Sequence, residues 1–226
     1  YLQANSELTH LWFEVDESLL DIPWELMYAQ SEFLCMKYAM GRRLLTGEQY
    51  ALQSRREKGG GNLKILLIGN PSEDLPQAEQ EIDFLYTELG KMENTEVTKR
   101  VGSEIGKRDF LTGLSAGFDV IHYAGHATYD AEEPDKSSLR FKDGLCYAYE
   151  TRQFLGENVP LVVFMNSCSS AREGVATKYE TAIPSLARAF LYCGVMAYIG
   201  SIWPVHDISA ARFATGFYRR LIHGYT

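Results

Sequence analysis

The sequence has little of what membrane-bound and nucleic-acid-binding proteins need. No apolar stretch reaches the roughly 18 to 20 residues that span a bilayer, and no segment has the pattern of a secretory signal. Acidic residues outnumber basic ones by 30 to 22, so the formal net charge is −8, which disfavours binding to a phosphate backbone. We therefore expect a cytoplasmic protein that contacts neither a membrane nor a nucleic acid directly.

Cysteine is also scarce. The chain has four cysteines, with no CxxC pair and no Cys/His cluster at the spacing of zinc ligands. Disulfides need an oxidising compartment, which nothing in the sequence indicates. We therefore expect reduced thiols, no bound metal and no cofactor. The four positions are Cys35, Cys146, Cys168 and Cys193.

What the sequence does have is enough length and apolar content for an ordinary folded core. Its 226 residues, 46% of them hydrophobic, suffice for one large α/β domain with a small appendage. A charged and then glycine-rich stretch over 53–62 reads as a linker. We divide the chain there into an N-terminal region over 1–58, with a strand, a Pro-Trp-Glu helix and the linker, and a core over 59–226.

The core shows a regular alternation of strand and helix patterns. Short apolar runs alternate with helical segments of roughly 10 to 15 residues, which predicts right-handed βαβ units and a mostly parallel sheet. A hairpin is indicated at Asp143-Gly144, and the N-terminal region contains a strand over 10–16 and a short helix after Pro23. The predicted core strands are 63–68, 96–101, 118–123, 161–165 and 195–199, and the helices are 77–89, 104–114, 181–192 and 207–223.

Two of the apolar runs end in reactive side chains. The run over 119–126 ends at His126, and the run over 161–168 ends at Cys168. The carboxyl ends of parallel strands meet at one edge of a sheet, and an imidazole is well matched to deprotonating a thiol near neutral pH. Taken singly, His126 is equally well explained as a loop histidine and Cys168 as a buried strand-end thiol. Together they predict a cysteine hydrolase.

Other groups complete this hypothesis in part. The backbone N–H groups of Cys168 and Ala127 are candidates for an oxyanion hole. His122 lies inside its strand and is expected to face a layer of helices, with a packing or supporting role. A third residue that would orient the catalytic imidazole is not evident from the sequence.

Several segments resemble a known peptidase family. Gly125-His126 and Asn166-Ser-Cys168 resemble the histidine and cysteine blocks of caspase-like (clan CD) peptidases. The chain from about 12 to 215 is similar to one branch of these, the CHAT domain (caspase-like, associated with tetratricopeptide repeats). The further matching segments are Ile22-Pro-Trp-Glu-Leu26, Ile65-Leu-Leu-Ile-Gly-Asn-Pro71, Leu75-Pro-Gln-Ala-Glu-Gln-Glu81, the hairpin at Asp143-Gly144, and Gly200-Ser-Ile-Trp-Pro-Val-His-Asp207.

The resemblance implies a fold and an activity. The fold would be a caspase-like three-layer αβα sandwich with a mostly parallel sheet, plus a small N-terminal α/β region. The activity would be that of a cysteine endopeptidase with His126 as base and Cys168 as nucleophile, acting on a protein substrate. A regulatory partner or an N-terminal repeat array would control it, as in bacterial defence, where such proteins include partners of RNA-guided CRISPR effectors. Ala127 stands where the family commonly has glycine.

The resemblance also suggests substrate-binding residues. Asp207 resembles an acidic residue that, in the related separases, receives a basic P1 side chain, although it also suits the cap of the last helix. Trp203 is a candidate wall of the same pocket or a core residue. Ser169, next to Cys168, is assigned to the same set.

Two other functions are open to this sequence. A catalytically silent interaction module is compatible with Ala127 at the oxyanion position. A nucleotide-binding doubly wound domain is suggested by the glycines at 59–61, but these precede the strand over 63–68, whereas a phosphate loop follows its strand. In an inactive resting form, the loop over 129–138 would hold Cys168 and His126 apart.

Overall fold

The computed structural model describes residues 9–16, 19, 22–29, 31–44, 61–128, 130, 133–155, 159–167, 183–200 and 207–222. The chain divides into two compact units, Tyr1–Ala51 and Leu52–Thr226. The boundary expected between 58 and 59 lies outside the described residues. No helix within the described ranges is both long enough and apolar enough to cross a bilayer.

The N-terminal unit contains two small sheets. Its elements are β1 (His10–Val15), a 3₁₀ turn (Trp24–Leu26), β2 (Tyr28–Ala29), β3 (Glu32–Phe33), α1 (Leu34–Lys37) and β4 (Ala39–Leu44). Strands β1 and β4 pair in parallel, whereas β2 and β3 pair antiparallel. The predicted strand over 10–16 is confirmed, whereas the short helix predicted after Pro23 is only a three-residue 3₁₀ turn.

The Pro-Trp-Glu segment has a structural role within this unit. The Trp24 ring stacks on Phe13 of β1 with centroids 5.2 Å apart. The Glu25 carboxylate forms an ion pair and hydrogen bonds with Arg42 of β4. The segment therefore packs against the β1–β4 pair from which this unit is built.

The second unit is a doubly wound α/β structure with a small antiparallel sheet. Five parallel strands lie in the order β6-β5-β7-β11-β12, and β8, β9 and β10 form the smaller sheet. The elements are β5 (Leu63–Gly69), α2 (Pro76–Leu89), β6 (Thr95–Val101), α3 (Lys107–Gly113), β7 (Val120–Ala124), β8 (Ala127–Thr128), β9 (Ser138–Phe141), β10 (Gly144–Tyr147), α4 (Ala148–Phe154), β11 (Val162–Asn166), α5 (Ile183–Tyr192), β12 (Ala197–Gly200) and α6 (Asp207–Ile222).

Helices cover both faces of the parallel sheet, which explains the continuous apolar runs in the sequence. On one face, Ile65 and Leu67 of β5 pack with α2 and α6. On the other face, Leu66 and Ile68 pack with α3 and α5. Alternate residues of one strand thus enter two separate cores, and the α/β prediction with a mostly parallel sheet is confirmed.

Most predicted elements lie within two residues of their observed bounds, but the helix predicted over 104–114 is wrong at its start. Residues Gly102–Glu104 form a 3₁₀ turn, and α3 begins only at Lys107. Gly106 has an extended backbone, with φ −92° and ψ 174°, so it separates the two segments. The hairpin is confirmed: β9 and β10 pair antiparallel around Lys142-Asp143.

Candidate active site

The candidate site lies at the carboxyl edge of the parallel sheet, where the chain changes direction between β5 and β7. The chain runs from β5 outward to β6 and returns past β5 to β7, so the loops after β5 and β7 diverge at this point. Open α/β sheets bind their ligands in such crevices. Asp74 lies in the loop after β5 and His126 directly follows β7, and their side chains meet: His126 Nε2 is 3.1 Å from Asp74 Oδ1.

The loop that carries Asp74 is held in an unusual backbone conformation. Asn70 and Glu73 have positive φ values of 49° and 63°, which side-chain-bearing residues seldom adopt. Buried Asn70 stabilises the loop, because its N–H donates to Ala124 O at 2.9 Å and its side-chain oxygen accepts the Leu75 N–H at 2.7 Å. The position of Asp74 beside β7 is therefore set by the backbone, and not only by its contact with the imidazole.

The Asp74 carboxylate has two polar neighbours besides His126. Ser72 Oγ donates to Asp74 Oδ1 at 2.5 Å, and Arg140 Nη1 lies 3.4 Å from Oδ2. The Ser72 hydrogen bond, with the electrostatic effect of the neighbouring His126 and Arg140, holds the pKa of the Asp74 carboxyl below its ordinary value. Asp74 is therefore a carboxylate at neutral pH and can accept a hydrogen bond from the imidazole.

The Tyr123 side chain fixes the backbone of His126. The Tyr123 hydroxyl lies 2.8 Å from His126 O and 3.0 Å from Arg140 O, so its one proton is shared between the two carbonyl oxygens. Burial raises the pKa of Tyr123 well above its ordinary value, so the phenol keeps its proton. A side chain at Gly125 would place its Cβ 2.7 Å from this hydroxyl, so only glycine fits between β7 and the histidine.

The two nitrogens of the His126 ring differ in their contacts. Its side chain is 14% exposed. While Nε2 contacts Asp74, Nδ1 is buried and has no hydrogen-bond partner among the described residues. An imidazole held at one nitrogen, with the other unoccupied, is the arrangement that a general base requires.

The backbone next to the imidazole offers an N–H group. Ala127 lies opposite Leu139 in the β8–β9 pair, and Arg140 N–H donates to His126 O at 3.0 Å. Hydrogen-bonded and non-hydrogen-bonded pairs alternate in an antiparallel ladder. Ala127 is thus in a non-hydrogen-bonded pair, and its N–H points away from β9.

The end of β11 adjoins the end of β7. The two strands pair in parallel, with Asn166 opposite Ala124, and the Gly125 N–H donates to Asn166 O at 3.3 Å. The prediction that these two strand ends are brought together is therefore confirmed. Beyond Ser167, the predicted nucleophile Cys168 and its neighbour Ser169 lie outside the described residues, as does Trp203. Asp207 is the first residue of α6, and its side chain also lies outside them.

Comparison with known proteins decides the family. The model of the CHAT domain matches residues 2–226. The chain belongs to the CHAT domain family. CHAT domains are a caspase-like family, in agreement with the resemblance noted from the histidine and cysteine segments. No curated protein matches this chain.

Two of the other cysteines of this CHAT domain are poorly suited to nucleophilic chemistry. Burial raises the pKa of Cys146 in β10 to about 12. Burial also raises the pKa of Cys193, which follows α5. Cys35 is exposed in the N-terminal unit. A buried thiol with a raised pKa carries little thiolate at neutral pH, so Cys146 and Cys193 are poor candidates for a nucleophile.

The sequence did not reveal the acidic partner of His126. The loop after β5 contains no other residue that the sequence marks as catalytic. Asp74 is also one of three acidic residues over 73–79, and nothing in the sequence distinguishes it from the other two. Its only sequence signal is its place after the strand adjacent to β7. His122, as expected, faces the helices α2 and α6, where it contacts Glu81 and Tyr218. No group of three or more potential metal ligands occurs within the described ranges.

Proposed function

We propose that this CHAT domain is a cysteine endopeptidase, with His126 as the base and Cys168 as the nucleophile. The observation that carries this proposal is the contact of 3.1 Å between His126 Nε2 and Asp74, at the edge where β7 and β11 end side by side. The chain leaves β11 two residues before Cys168. The proposal requires that the Cys168 thiol lies at this edge, beside the His126 imidazole.

The proposed reaction follows from the groups at this edge. His126 Nδ1 removes the proton from the Cys168 thiol, and the resulting thiolate attacks the carbonyl carbon of the scissile peptide bond. Collapse of the tetrahedral intermediate breaks the C–N bond, and the leaving amine takes the proton from His126. Water then attacks the thioester with the same imidazole as base, which releases the acid product and restores the thiol.

Asp74 and Ala127 support the two charged species in this reaction. The Asp74 carboxylate accepts a hydrogen bond from His126 Nε2–H, which orients the ring and stabilises the imidazolium that forms after proton transfer. The Ala127 N–H, which points away from β9, and the Cys168 N–H would donate to the oxyanion of the tetrahedral intermediate. The methyl group of Ala127 does not remove the donor.

Substrate choice and control are part of the proposal. Asp207, Trp203 and Ser169 would line the pocket for the residue before the cleaved bond, and an acidic Asp207 would favour a basic side chain there. The physiological substrate would be a protein. A partner protein or repeat array, such as an RNA-guided CRISPR effector in bacterial defence, would switch the domain on.

Alkylation of the four cysteines tests this proposal without knowledge of the substrate. Trypsin separates all four, and Cys168 is the only cysteine in peptide 153–172. Short pulses of iodoacetamide on the folded protein, followed by digestion and mass spectrometry, give the rate for each thiol. We expect Cys168 to react faster than exposed Cys35 at pH 6.5, and the His126→Ala variant to lose this difference.

The outcome also separates a peptidase from an interaction module. A Cys168 rate that equals that of Cys35 and does not change in His126→Ala would contradict the catalytic pair and favour the silent module. The same alkylation rates can be measured after a candidate partner protein is added, which tests the activated state. Cleavage of a protein substrate that disappears in Cys168→Ala would then show the activity itself.

A further inference from the structure

A buried carboxylate on α2 connects the two strands that lead to the catalytic pair. Glu81 is 6% exposed. One of its oxygens, Oε1, lies 3.2 Å from His122 Nε2 in β7, and the other, Oε2, accepts from Asn166 Nδ2 in β11 at 2.5 Å. His122 is four residues before His126, and Asn166 is two residues before Cys168.

The rest of this cluster holds the carboxylate in place. The His122 ring stacks on Phe164 of β11 with centroids 4.7 Å apart, and its Nδ1 lies 3.0 Å from the Tyr218 hydroxyl. Burial, and secondly the Glu81 carboxylate, raise the pKa of Tyr218 well above its ordinary value, so its hydroxyl keeps its proton and can donate to Nδ1. The His122 Nε2–H is then left to donate to Glu81.

A carboxylate in this position is not needed to fill the core. Burying a charge costs free energy unless it is fully hydrogen-bonded, and apolar residues of similar volume often serve stability as well or better. The neighbouring buried positions of α2 are apolar: Ala78, Ile82, Leu85 and Leu89. We therefore attribute to Glu81 a role in fixing the positions of its two polar partners, His122 and Asn166.

Asn166 is the last residue of β11, where the backbone ladder stops. Its carbonyl oxygen accepts the Gly125 N–H next to β7 at 3.3 Å, which is long for a hydrogen bond. The side chain of Asn166 adds a second, shorter attachment through Glu81. We propose that Glu81 is a positioning residue whose buried carboxylate holds Asn166 and so sets the direction in which the chain leaves β11 towards Cys168. This inference rests on the proposed Cys168–His126 pair.

Exchanging the two functional groups tests this role. In Asn166→Asp two carboxylates face each other, and we expect the alkylation of Cys168 at neutral pH to slow by about ten- to a hundredfold, the scale of a small misplacement of a catalytic group. The pH midpoint of alkylation should rise towards about 8.5, the value of an ordinary thiol. In the double variant Glu81→Gln/Asn166→Asp, the amide and carboxylate have changed places, and we expect most of the wild-type rate and the wild-type midpoint.

The double variant separates positioning from a direct charge effect. If the carboxylate introduced at position 166 acted on the thiol through space, the rate would stay low in the double variant. Thr215→Ala is the matched control, since it removes a buried side-chain hydroxyl from the neighbouring helix α6 that donates to Ala211 O and not to the Glu81 cluster. We expect Thr215→Ala to unfold at a lower temperature while its alkylation profile matches the wild type.

A second single variant guards against misfolding of Asn166→Asp. Asn166→Ala removes the donor without adding charge, and we expect slower alkylation of Cys168 with a wild-type-like circular dichroism spectrum. A wild-type alkylation profile in Asn166→Ala, or a double variant as slow as Asn166→Asp, would overturn the role of Glu81 while leaving the catalytic pair intact. The catalytic pair itself is tested separately. If Cys168 of the wild-type protein reacts no faster than Cys35, and its rate does not change in His126→Ala, the pair is contradicted and the role of Glu81 with it.

Discussion

At the scale of single residues, the site depends on how one imidazole is held. The ring of His126 has a carboxylate at Nε2, a buried and unpartnered Nδ1 within the described part of the chain, and a backbone fixed by Tyr123. Loss of one such constraint leaves the ring free to rotate, so that its reactive nitrogen is aligned for only part of the time. The contact with Asp74 can be removed by a substitution that hardly changes the side-chain volume, from aspartate to asparagine.

We predict that Asp74→Asn slows the alkylation of Cys168 by about ten- to a hundredfold at neutral pH, because the imidazole loses its orienting acceptor. Asp83→Asn is the matched control. Asp83 is a similarly exposed aspartate in α2 that pairs with Lys99. Pulsed iodoacetamide labelling at several pH values measures both variants. Equal rates for Asp74→Asn and Asp83→Asn would show that Asp74 does not act on the catalytic pair.

At the scale of elements, the segment from β5 through α2 organises the site. The loop after β5 carries Asp74, and α2 begins two residues later at Pro76, a favoured first position of a helix. Five residues further on, the same helix places Glu81 in contact with His122 in β7 and with Asn166 at the end of β11. A shift of α2 relative to β5 would therefore disturb both acidic residues at once.

Close packing of α2 on β5 is made possible by Gly69. A Cβ at this position would lie 2.7 Å from Ile82 Cγ1 and 3.1 Å from the Ala78 carbonyl oxygen. We predict that Gly69→Ala lowers the free energy of unfolding by about 1 to 3 kcal/mol, the usual cost of overpacking, and also slows the alkylation of Cys168. Urea unfolding measures the first effect.

A second glycine supplies the control for this substitution. Gly216 lies within α6, and a Cβ there would meet no atom within 4 Å. Gly216→Ala should therefore raise the free energy of unfolding by about 0.5 to 1 kcal/mol, because alanine is the better helix former. If Gly69→Ala is as stable as the wild type, α2 does not depend on this close contact.

At the scale of the whole molecule, the sequence predicts the layers well and the site only in part. Strands such as β7, buried on both faces, are visible as apolar runs, and His126 is visible because it ends one. Asp74 and Glu81 are not visible, since they contact residues 52 and 85 positions away. These contacts depend on the strand order and on the positive-φ loop after β5, neither of which has a local sequence pattern.

The distribution of shifted pKa values predicts a pH range of maximal stability. Hydrogen bonds from Lys142 and Ser72 lower the carboxyl pKa values of Glu73 and Asp74 respectively. A group with a lowered folded pKa stabilises the fold above its ordinary pKa of about 4, and this contribution is lost as the pH falls through the folded value. Burial has the opposite effect on Cys146, Tyr123 and Tyr218, whose pKa values it raises.

A group whose pKa is raised in the folded state contributes its full stabilisation at pH values below its unfolded pKa. This contribution is lost as the pH rises from the unfolded to the folded pKa. For these groups the loss begins at about pH 8.5 for the thiol and about pH 10 for the phenols. We therefore expect the melting temperature to be highest between about pH 5 and 8 and to fall on both sides. Glu73→Gln should reduce only the acid fall and Tyr218→Phe only the alkaline fall, because each removes one titrating group. A melting temperature that stays constant to pH 11 would contradict the burial of neutral phenols in the two cores.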